Sequence, residues 1–224
     1  MRITVASGKG GVGKSMVTSA LAMLFSKDNE LIAIDCDVDT PNLAIWLGID
    51  NSDPLAGTIA KKISTVEKPV IDRSLCDGCG ICVEKCTFNA LTLTKENKAE
   101  LIPYRCEGCG LCEFICPQNA VTLKPVNNCT LQVFDTQWGF PVVQGQIEPG
   151  EAESGEAVTE IRAYADSMGS DDTLFIQDAA AGIGCPVIAS IVGSDHVIGI
   201  AEPSLSSLSD LTRTIEVVDQ FNVP

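Results

Sequence analysis

A glycine-rich segment near the amino terminus has the residue types needed to hold phosphate groups. It reads GKGGVGKS from Gly8 to Ser15 and matches the pattern G-x-x-x-x-G-K-[ST]. Glycines let backbone N–H groups approach phosphate oxygens, Lys14 would reach the β- and γ-phosphates, and the Ser15 hydroxyl would bind Mg²⁺. The alternative is a glycine-rich turn that binds no nucleotide. We predict that a nucleotide contacts Gly8, Lys9, Gly10, Gly11, Val12, Gly13, Lys14, Ser15 and Met16.

Two runs of cysteines carry a second kind of chemistry. Each run has the spacing C-x2-C-x2-C-x3-C, over residues 76–86 and 106–116, and Pro117 follows the second. This spacing is typical of ferredoxins of the bacterial type with two [4Fe–4S] clusters, in which the fourth cysteine of each run binds the other cluster. We expect Cys76, Cys79, Cys82 and Cys116 to bind one cluster, and Cys106, Cys109, Cys112 and Cys86 to bind the other.

The cysteine pattern leaves one alternative and one departure. Two structural zinc sites would also need only four thiolates each, but the third cysteine at x2 spacing and the final Cys-Pro favour iron–sulfur clusters. Thr87 follows Cys86 where the second run has Pro117, a difference that removes no ligand. Outside the runs, Cys36 and Cys129 are predicted to be buried structural residues.

Acidic residues follow two apolar segments of strand character. Asp35, Asp37 and Asp39 end or follow the segment LIAID, and Asp178 ends the segment LFIQD. Because ligands bind at the carboxyl ends of parallel strands, we expect these carboxylates near the phosphate-binding segment. For Asp39, one interpretation is a cap on the next helix.

The apolar patterning around these residues predicts an α/β fold with a mostly parallel sheet flanked by helices. The predicted loop Gly139–Glu153 leads to a helix with Ser154 as its cap, and Ser204 caps the last helix. The chain stops at Pro224, where such a fold would next form a strand, so we expect truncation at the carboxyl end. The predicted strands are Ile3–Ser7, Leu31–Asp35, Leu131–Phe134, Leu174–Asp178 and Val197–Ala201, and the predicted helices are Met16–Ser26, Ser154–Met168 and Leu205–Phe221.

The cysteine runs belong to an internal duplication. Residues 74–93 and 104–123 resemble each other at a constant offset of 30 positions. We therefore predict an inserted α+β ferredoxin domain over residues 61–124. The flanking residues 1–60 and 125–224 then form one phosphate-binding domain.

Composition and charge exclude several classes of protein. The 224 residues are 45% hydrophobic and 20% charged, which excludes disorder, and the formal net charge of −15 argues against a nucleic-acid groove or a basic membrane patch. No apolar run reaches about 18 residues and no signal peptide begins the chain, so we expect a cytoplasmic protein without a membrane span. The acidic residues 125–224 indicate either a basic partner protein or a solvated face.

The second lysine of the glycine-rich segment, Lys9, makes it resemble the deviant Walker A motif of the MinD/ParA/Mrp/nitrogenase iron protein family. The resemblance extends to Asp37 and Asp178 and implies a P-loop ATPase that forms a homodimer with ATP at its interface. It implies catalytic roles for Lys9, which would reach the partner's phosphates, for Lys14, and for Asp37, which would orient the attacking water. Asp178 would hold a Mg²⁺-bound water, beside Ser15 and Asp37.

Several residues outside these motifs also bear on the resemblance. Cys185 follows Asp178 at an offset similar to a cluster cysteine of the nitrogenase iron protein, but the comparable stretch Glu153-Ser154-Gly155 has no second thiol, and the C-x-x-C pair of Mrp-type carriers is absent. Cys185 is therefore only a candidate transient ligand. Glu202-Pro203-Ser204 loosely resembles the start of the base-binding region, and Glu156 replaces a lysine common in related chains. His196 is predicted to be structural.

The combination fits three functions. The first is ATP-gated electron transfer through two [4Fe–4S] clusters to a partner protein, because all eight cysteines would fill complete clusters. The second is ATP-dependent assembly or delivery of iron–sulfur clusters, which the resemblance to Mrp favours. The third is a regulatory or positioning ATPase with a redox-sensing insert.

Overall fold

The computed structural model describes residues 1–49, 57–151 and 155–224. Within these residues the chain forms two compact units. The first comprises the described parts of Met1–Ile63, Cys129–Ile147 and Glu153–Pro224, and the second those of Ser64–Asn128 and Glu148–Ala152.

The first unit contains a seven-stranded sheet in the order β11-β1-β10-β2-β9-β8-β3. The five strands β11, β1, β10, β2 and β9 run parallel, while β8 and β3 continue the sheet with antiparallel pairing. This confirms the α/β fold with a mostly parallel sheet. The strands are β1 (Arg2–Ser7), β2 (Leu31–Asp35), β3 (Thr58–Ile63), β8 (Cys129–Asp135), β9 (Pro141–Ile147), β10 (Leu174–Ala181) and β11 (His196–Ile200).

The predicted loop Gly139–Glu153 is wrong in part, because β9 occupies Pro141–Ile147. Proline and two glutamines hide the strand in the sequence, yet Gln144 is buried and the strand lies in the sheet interior. Ile161 packs closely on Gly145, since a Cβ atom at that position would come within 2.1 Å of Ile161 Cδ1 and the isoleucine would have to shift. Tertiary packing thus decides the conformation of this segment.

Helices cover both faces of the sheet. On one face Ile161 of α5 packs with Ile34 and Val143, and on the other Ala22 of α1 and Leu43 of α2 pack with Ile176. The Ser204 cap is confirmed, because its hydroxyl accepts a hydrogen bond from Ser207 N, whereas Ser154 lies outside the described residues. The helices are α1 (Lys14–Phe25), α2 (Leu43–Trp46), α5 (Gly155–Met168), α6 (Cys185–Ile191) and α7 (Leu205–Gln220).

The second unit repeats one small motif twice. Two antiparallel pairs of strands join β4 (Val66–Ile71) with β7 (Val121–Val126) and β5 (Leu91–Leu93) with β6 (Ala99–Leu101), and the second pair is a hairpin. The short helices α3 (Ile81–Lys85) and α4 (Leu111–Phe114) lie against each other, at positions offset by 30 residues. The duplication seen in the sequence therefore corresponds to two related halves of one unit.

We expect the substitution Ile161→Ala to lower the free energy of unfolding by about 2–5 kcal/mol, because the side chain is fully buried between α5 and the sheet. Urea denaturation measures this loss. Ile215→Ala on α7 removes the same atoms from a half-exposed position and should cost roughly 1 kcal/mol or less. Equal losses for the two variants would contradict the packing described.

Candidate functional site

The phosphate-binding segment connects the end of β1 to the start of α1. Gly13 is the residue before α1 and has φ +94°, a conformation that glycine adopts without strain. Gly8 lies against α7, where a Cβ atom would come within 2.2 Å of the Asp210 backbone. The segment forms one wall of a pocket in the first unit, lined by Ser7, Gly10, Gly11, Gly13, Lys14, Ser15, Met16, Asp37, Thr40, Asn42, Trp46 and Ala181.

Lys14 and Asp178 form a buried ion pair at the base of this pocket. Lys14 Nζ lies 3.2 Å from Asp178 Oδ1, which also accepts a hydrogen bond from Thr18 Oγ1 at 3.2 Å. The other carboxylate oxygen, Oδ2, is buried without a hydrogen-bond partner. Burial raises the pKa of Asp178, and Lys14 and Ser15 partly offset that rise. An unpartnered buried oxygen beside the Ser15 hydroxyl suits a water bound to Mg²⁺.

Asp35 supports the opposite wall and was not among the predicted site residues. Its Oδ1 accepts a hydrogen bond from Asp37 N at 3.0 Å, and its Oδ2 accepts one each from Asn42 N and Leu43 N at 2.9 Å. The carboxylate therefore holds the start of α2. Burial, followed by the proximity of Asp178, raises the pKa of Asp35 to about 8.

The two neighbouring aspartates occupy different surroundings. Asp37 lines the pocket and accepts hydrogen bonds from Thr40 N at 3.1 Å and Thr40 Oγ1 at 3.2 Å. Asp39 is exposed. The alternative of Asp39 as a helix cap is wrong, because α2 begins after Asn42 and Asp35 accepts its first N–H groups.

Lys9 lies at the open side of the segment and contacts Glu202 Oε1 within the same chain. Glu202 also accepts a hydrogen bond from Ser204 Oγ at 3.1 Å, and its backbone N–H donates to Ser207 Oγ. Lys9 lowers the pKa of Glu202, and Ser204 contributes to the same shift. The segment before α7 thus neutralises the charge of Lys9.

The cysteine runs form two tight loops in the second unit. Gly78, Gly80, Gly108 and Gly110 all have φ between +68° and +77°, which lets the backbone turn around the sulfur atoms. After each run a backbone N–H donates to the last thiol: Ala90 N to Cys86 Sγ and Ala120 N to Cys116 Sγ, both at 3.3 Å.

The fold brings the thiols together in two groups. Burial raises the pKa of Cys82, and the nearby Cys116, Cys79 and Cys76 raise it further. Burial likewise raises the pKa of Cys112 to about 11, with smaller contributions from Cys106 and Cys109. A cavity beside this second group is lined by Cys82, Cys86, Cys106, Cys109 and Cys112, with Lys85, Glu107 and apolar side chains.

Zinc and a [4Fe–4S] cluster require different arrangements of thiolates. A structural zinc ion requires four ligands at about 2.0–2.3 Å from a single centre. A [4Fe–4S] cluster takes one thiolate on each of four irons, so its ligands lie further apart. The two groups of thiols offer enough ligands for either, and the third cysteine at x2 spacing in each run favours the cluster.

The remaining candidates lie elsewhere in the first unit. Cys36 and Cys129 are buried, as predicted. Cys185 is exposed at the start of α6, close to Gly155, where a Cβ atom would come within 2.9 Å of the Cys185 backbone. His196 is exposed at the start of β11 and does not line the pocket. Glu153 and Ser154 lie outside the described residues.

The raised pKa of Asp35 makes stability depend on pH. The folded chain keeps the Asp35 proton up to about pH 8, whereas the unfolded chain loses it near pH 4. Unfolding therefore releases a proton between these values, and the free energy of unfolding should fall as the pH rises.

Urea denaturation between pH 5 and pH 8 measures this slope. We expect Asp35→Asn to flatten it, whereas Asp39→Asn, at an exposed position, should leave it as in the unmodified chain. Equal slopes for Asp35→Asn and the unmodified chain would contradict the assignment.

No described helix is long and apolar enough to cross a membrane.

By sequence, the chain is 37% identical over 223 residues to Uncharacterized protein MJ0578 of Methanocaldococcus jannaschii, covering all of this chain and 75% of that protein. An Iron-sulfur cluster carrier protein of the same organism is 42% identical over 57 residues, which are 25% of this chain and 20% of the carrier.

By structure, the chain resembles the MinC:MinD cell division protein complex of Aquifex aeolicus, with a TM-score of 0.51 and 16% identity. The alignment covers 99% of this chain but only 64% of that one, so this chain spans less than two thirds of its length. Residues 3–223 match the family described as CobQ/CobB/MinD/ParA nucleotide binding domain. The chain therefore belongs to the CobQ/CobB/MinD/ParA family of nucleotide-binding domains.

Proposed function

We propose that this chain is an ATP-hydrolysing iron–sulfur protein in which ATP gates electron transfer through two [4Fe–4S] clusters to a partner protein. One observation carries the proposal: the chain that contains the phosphate pocket also groups eight cysteines into two related loops. The family supplies nucleotide binding. Hydrolysis and the clusters are argued from the residues of each unit, and the acceptor from the one-electron chemistry that such clusters supply.

In the first unit, different residues around the pocket would bind the phosphates, hold Mg²⁺ and position the attacking water. Backbone N–H groups of the segment from Gly8 to Ser15 would bind the phosphates, and Lys14 would exchange its partner Asp178 for phosphate oxygens. Ser15 and Asp178 would hold Mg²⁺, the latter through water, with Asp37 also within reach of the pocket. Asp37 would orient the attacking water, because phosphoryl transfer depends mainly on positioning and charge stabilisation.

Lys9 has a separate role in this proposal. Its ammonium group is only partly exposed and contacts Glu202 within the chain, so it does not face its own pocket. In a homodimer with ATP at the interface, Lys9 would leave Glu202 and bind the partner's phosphates. A phosphate carries more negative charge than a carboxylate and so competes for the lysine.

In the second unit, the eight thiolates would bind two clusters. Cys76, Cys79, Cys82 and Cys116 would hold one, and Cys106, Cys109, Cys112 and Cys86 the other. The positive φ angles of the loops and the N–H donors to Cys86 and Cys116 suit thiolate ligands. When bound, such clusters supply one-electron transfer at low potential.

A second function is favoured by the similarity to an Iron-sulfur cluster carrier protein over 57 residues. Delivery of a cluster requires ligands that release it, and Cys185 is the exposed thiol outside the two runs among the described residues. The eight cysteines of the two runs form two complete sets of four ligands, which instead favours clusters that stay bound. A regulatory ATPase with a redox-sensing insert would use the same ligands, and its distinguishing feature would be a partner that responds to cluster oxidation.

Anaerobic purification followed by iron and sulfide analysis tests the cluster assignment. We expect about eight irons and eight sulfides per chain, and about four of each in Cys112→Ser, because this substitution removes a ligand of one cluster. Cys185→Ser is the matched control and should keep about eight. Bound zinc without sulfide would contradict the proposal.

The same preparation separates electron transfer from delivery. EPR spectra of the reduced protein are recorded before and after incubation with Mg-ATP and an apo-ferredoxin. Iron that stays bound while ATP alters the spectrum or the potential supports gated electron transfer. Iron that moves to the acceptor only as ATP is hydrolysed would favour the carrier function instead.

Two substitutions test the pocket. Lys14→Met should weaken Mg-ATP binding by about 10- to 100-fold, because a charge-assisted hydrogen bond contributes about 1.5–3 kcal/mol. Asp37→Asn should keep binding but slow hydrolysis by about 100-fold or more. Calorimetry and phosphate release measure these effects. Lys27→Met, at an exposed position after α1, should change neither, and normal turnover in Asp37→Asn would contradict its role.

A further inference from the structure

The two halves of the second unit place a lysine at equivalent positions with different surroundings. Lys98 precedes β6 and Lys68 lies in β4, and the two residues are related by the 30-residue offset of the duplication. Asn97 and Glu67, the residues before them, pack on equivalent glycines of the two loops, Gly78 and Gly108. Lys98 therefore lies against the first cysteine loop, and Lys68 occupies the equivalent position against the second.

Lys98 puts a positive charge directly on the first loop. Its Nζ donates a hydrogen bond to the backbone carbonyl oxygen of Cys76. The thiol of Cys76 belongs to the group of four that includes Cys82. Lys98 forms no ion pair with any described residue. The adjacent Asn97 is neutral and donates to Gly78 O at 3.3 Å. Asn97 and Lys98 together thus place one positive charge against the first loop.

The charge on Lys68 is neutralised. Its Nζ donates to Pro103 O at 3.0 Å, near Cys106, and also contacts Glu151 Oε1 in an ion pair with little exposure of either side chain. The preceding residue, Glu67, is exposed and acidic. The second loop thus faces a net negative charge where the first faces a positive one.

Other features that set cluster potentials are nearly matched between the halves. Ala90 and Ala120 each donate one N–H to a thiol at 3.3 Å. Asp77 in the first loop has its counterpart in Glu107 of the second.

Further charged residues near the second group of thiols have no charged counterpart at the 30-residue offset. Arg105 and Glu113 have opposite signs that offset each other. Lys85, which lines the cavity beside Cys106, Cys109 and Cys112, forms an ion pair with Glu84 at 2.9 Å, so these two charges also offset each other. The difference between Lys98 and the pair of Lys68 with Glu151 remains.

From this difference, and resting on the proposed function, we infer that the cluster bound by Cys76, Cys79, Cys82 and Cys116 has the higher reduction potential, and that Lys98 sets it. A nearby positive charge favours the reduced cluster, which carries one more negative charge. The first electron that enters the second unit therefore reduces the cluster at the first loop, and the cluster at the second loop is the more strongly reducing one.

Redox titration followed by EPR tests the inference on the reconstituted protein. We expect two midpoint potentials, and Lys98→Gln should lower only the higher one. The expected drop is about tenfold in the ratio of reduced to oxidised cluster at fixed solution potential, which equals about 59 mV for one electron. Lys98→Arg should retain the higher value, and Lys95→Gln, at an exposed position in the same hairpin, should change neither potential.

Glu151→Gln provides the reciprocal test, because it frees the charge of Lys68. It should raise only the lower potential and so narrow the gap from the other side. Two clusters with equal potentials, or a Lys98→Gln variant with both potentials unchanged, would overturn the inference while leaving the cluster assignment intact. Absence of the eight irons would overturn the proposed function itself, and the inference with it.

Discussion

The nucleotide pocket depends on one buried carboxylate. Asp35 ends β2 in register with Asp178 of β10 and accepts backbone N–H groups from Asp37, Asn42 and Leu43. This one side chain fixes the loop that presents Asp37 and also the start of α2. Its position is costly for the ionised form, because two buried carboxyl groups lie close together and burial raises the pKa of both. Lys14 offsets part of that cost through its ion pair with Asp178.

The parallel sheet explains why these groups meet. The carboxyl ends of β1, β2 and β10 lie at one edge, so the phosphate-binding segment, Asp35 and Asp178 converge, although Asp178 lies more than a hundred residues further along the chain than the other two. The sheet interior is apolar on both faces, and this packing holds the edge rigid. In the function proposed here, the nucleotide binds at that edge.

The second unit obeys a different constraint. It has a small buried cluster around Cys82, Leu91 and Ala99, and its loops turn on glycines with positive φ. A unit with so small a core would gain much of its order from the clusters proposed for its cysteines. Duplication gives it two similar loops, and substitutions such as Asn97 against Glu67 then make the loops chemically unequal. In the function proposed here, that inequality gives the electron a direction.

The sequence by itself was sufficient for the features encoded in local patterns. The segment from Gly8 to Ser15, the spacing of the cysteines, the strand Leu31–Asp35 and the Ser204 cap each depend on residues that are neighbours in the chain. The nucleotide-binding family and the mostly parallel sheet followed from these patterns. The roles of Asp37, Asp178 and the cluster ligands stay predictions.

Other features were decided by tertiary structure, because they join residues that are distant in sequence. β9 contains a proline and two glutamines, yet it lies in the sheet interior because β2 and β8 pair with it on either side and Ile161 packs on Gly145. The sequence indicates only that Asp35 ends a buried strand. Its role in holding the start of α2 depends on the hydrogen bonds that Asn42 N and Leu43 N donate to it. Likewise the contact of Lys9 with Glu202 and the unequal partners of Lys68 and Lys98 arise only where separate segments meet. Local patterns specify which groups are present, and packing alone specifies which charges face each other.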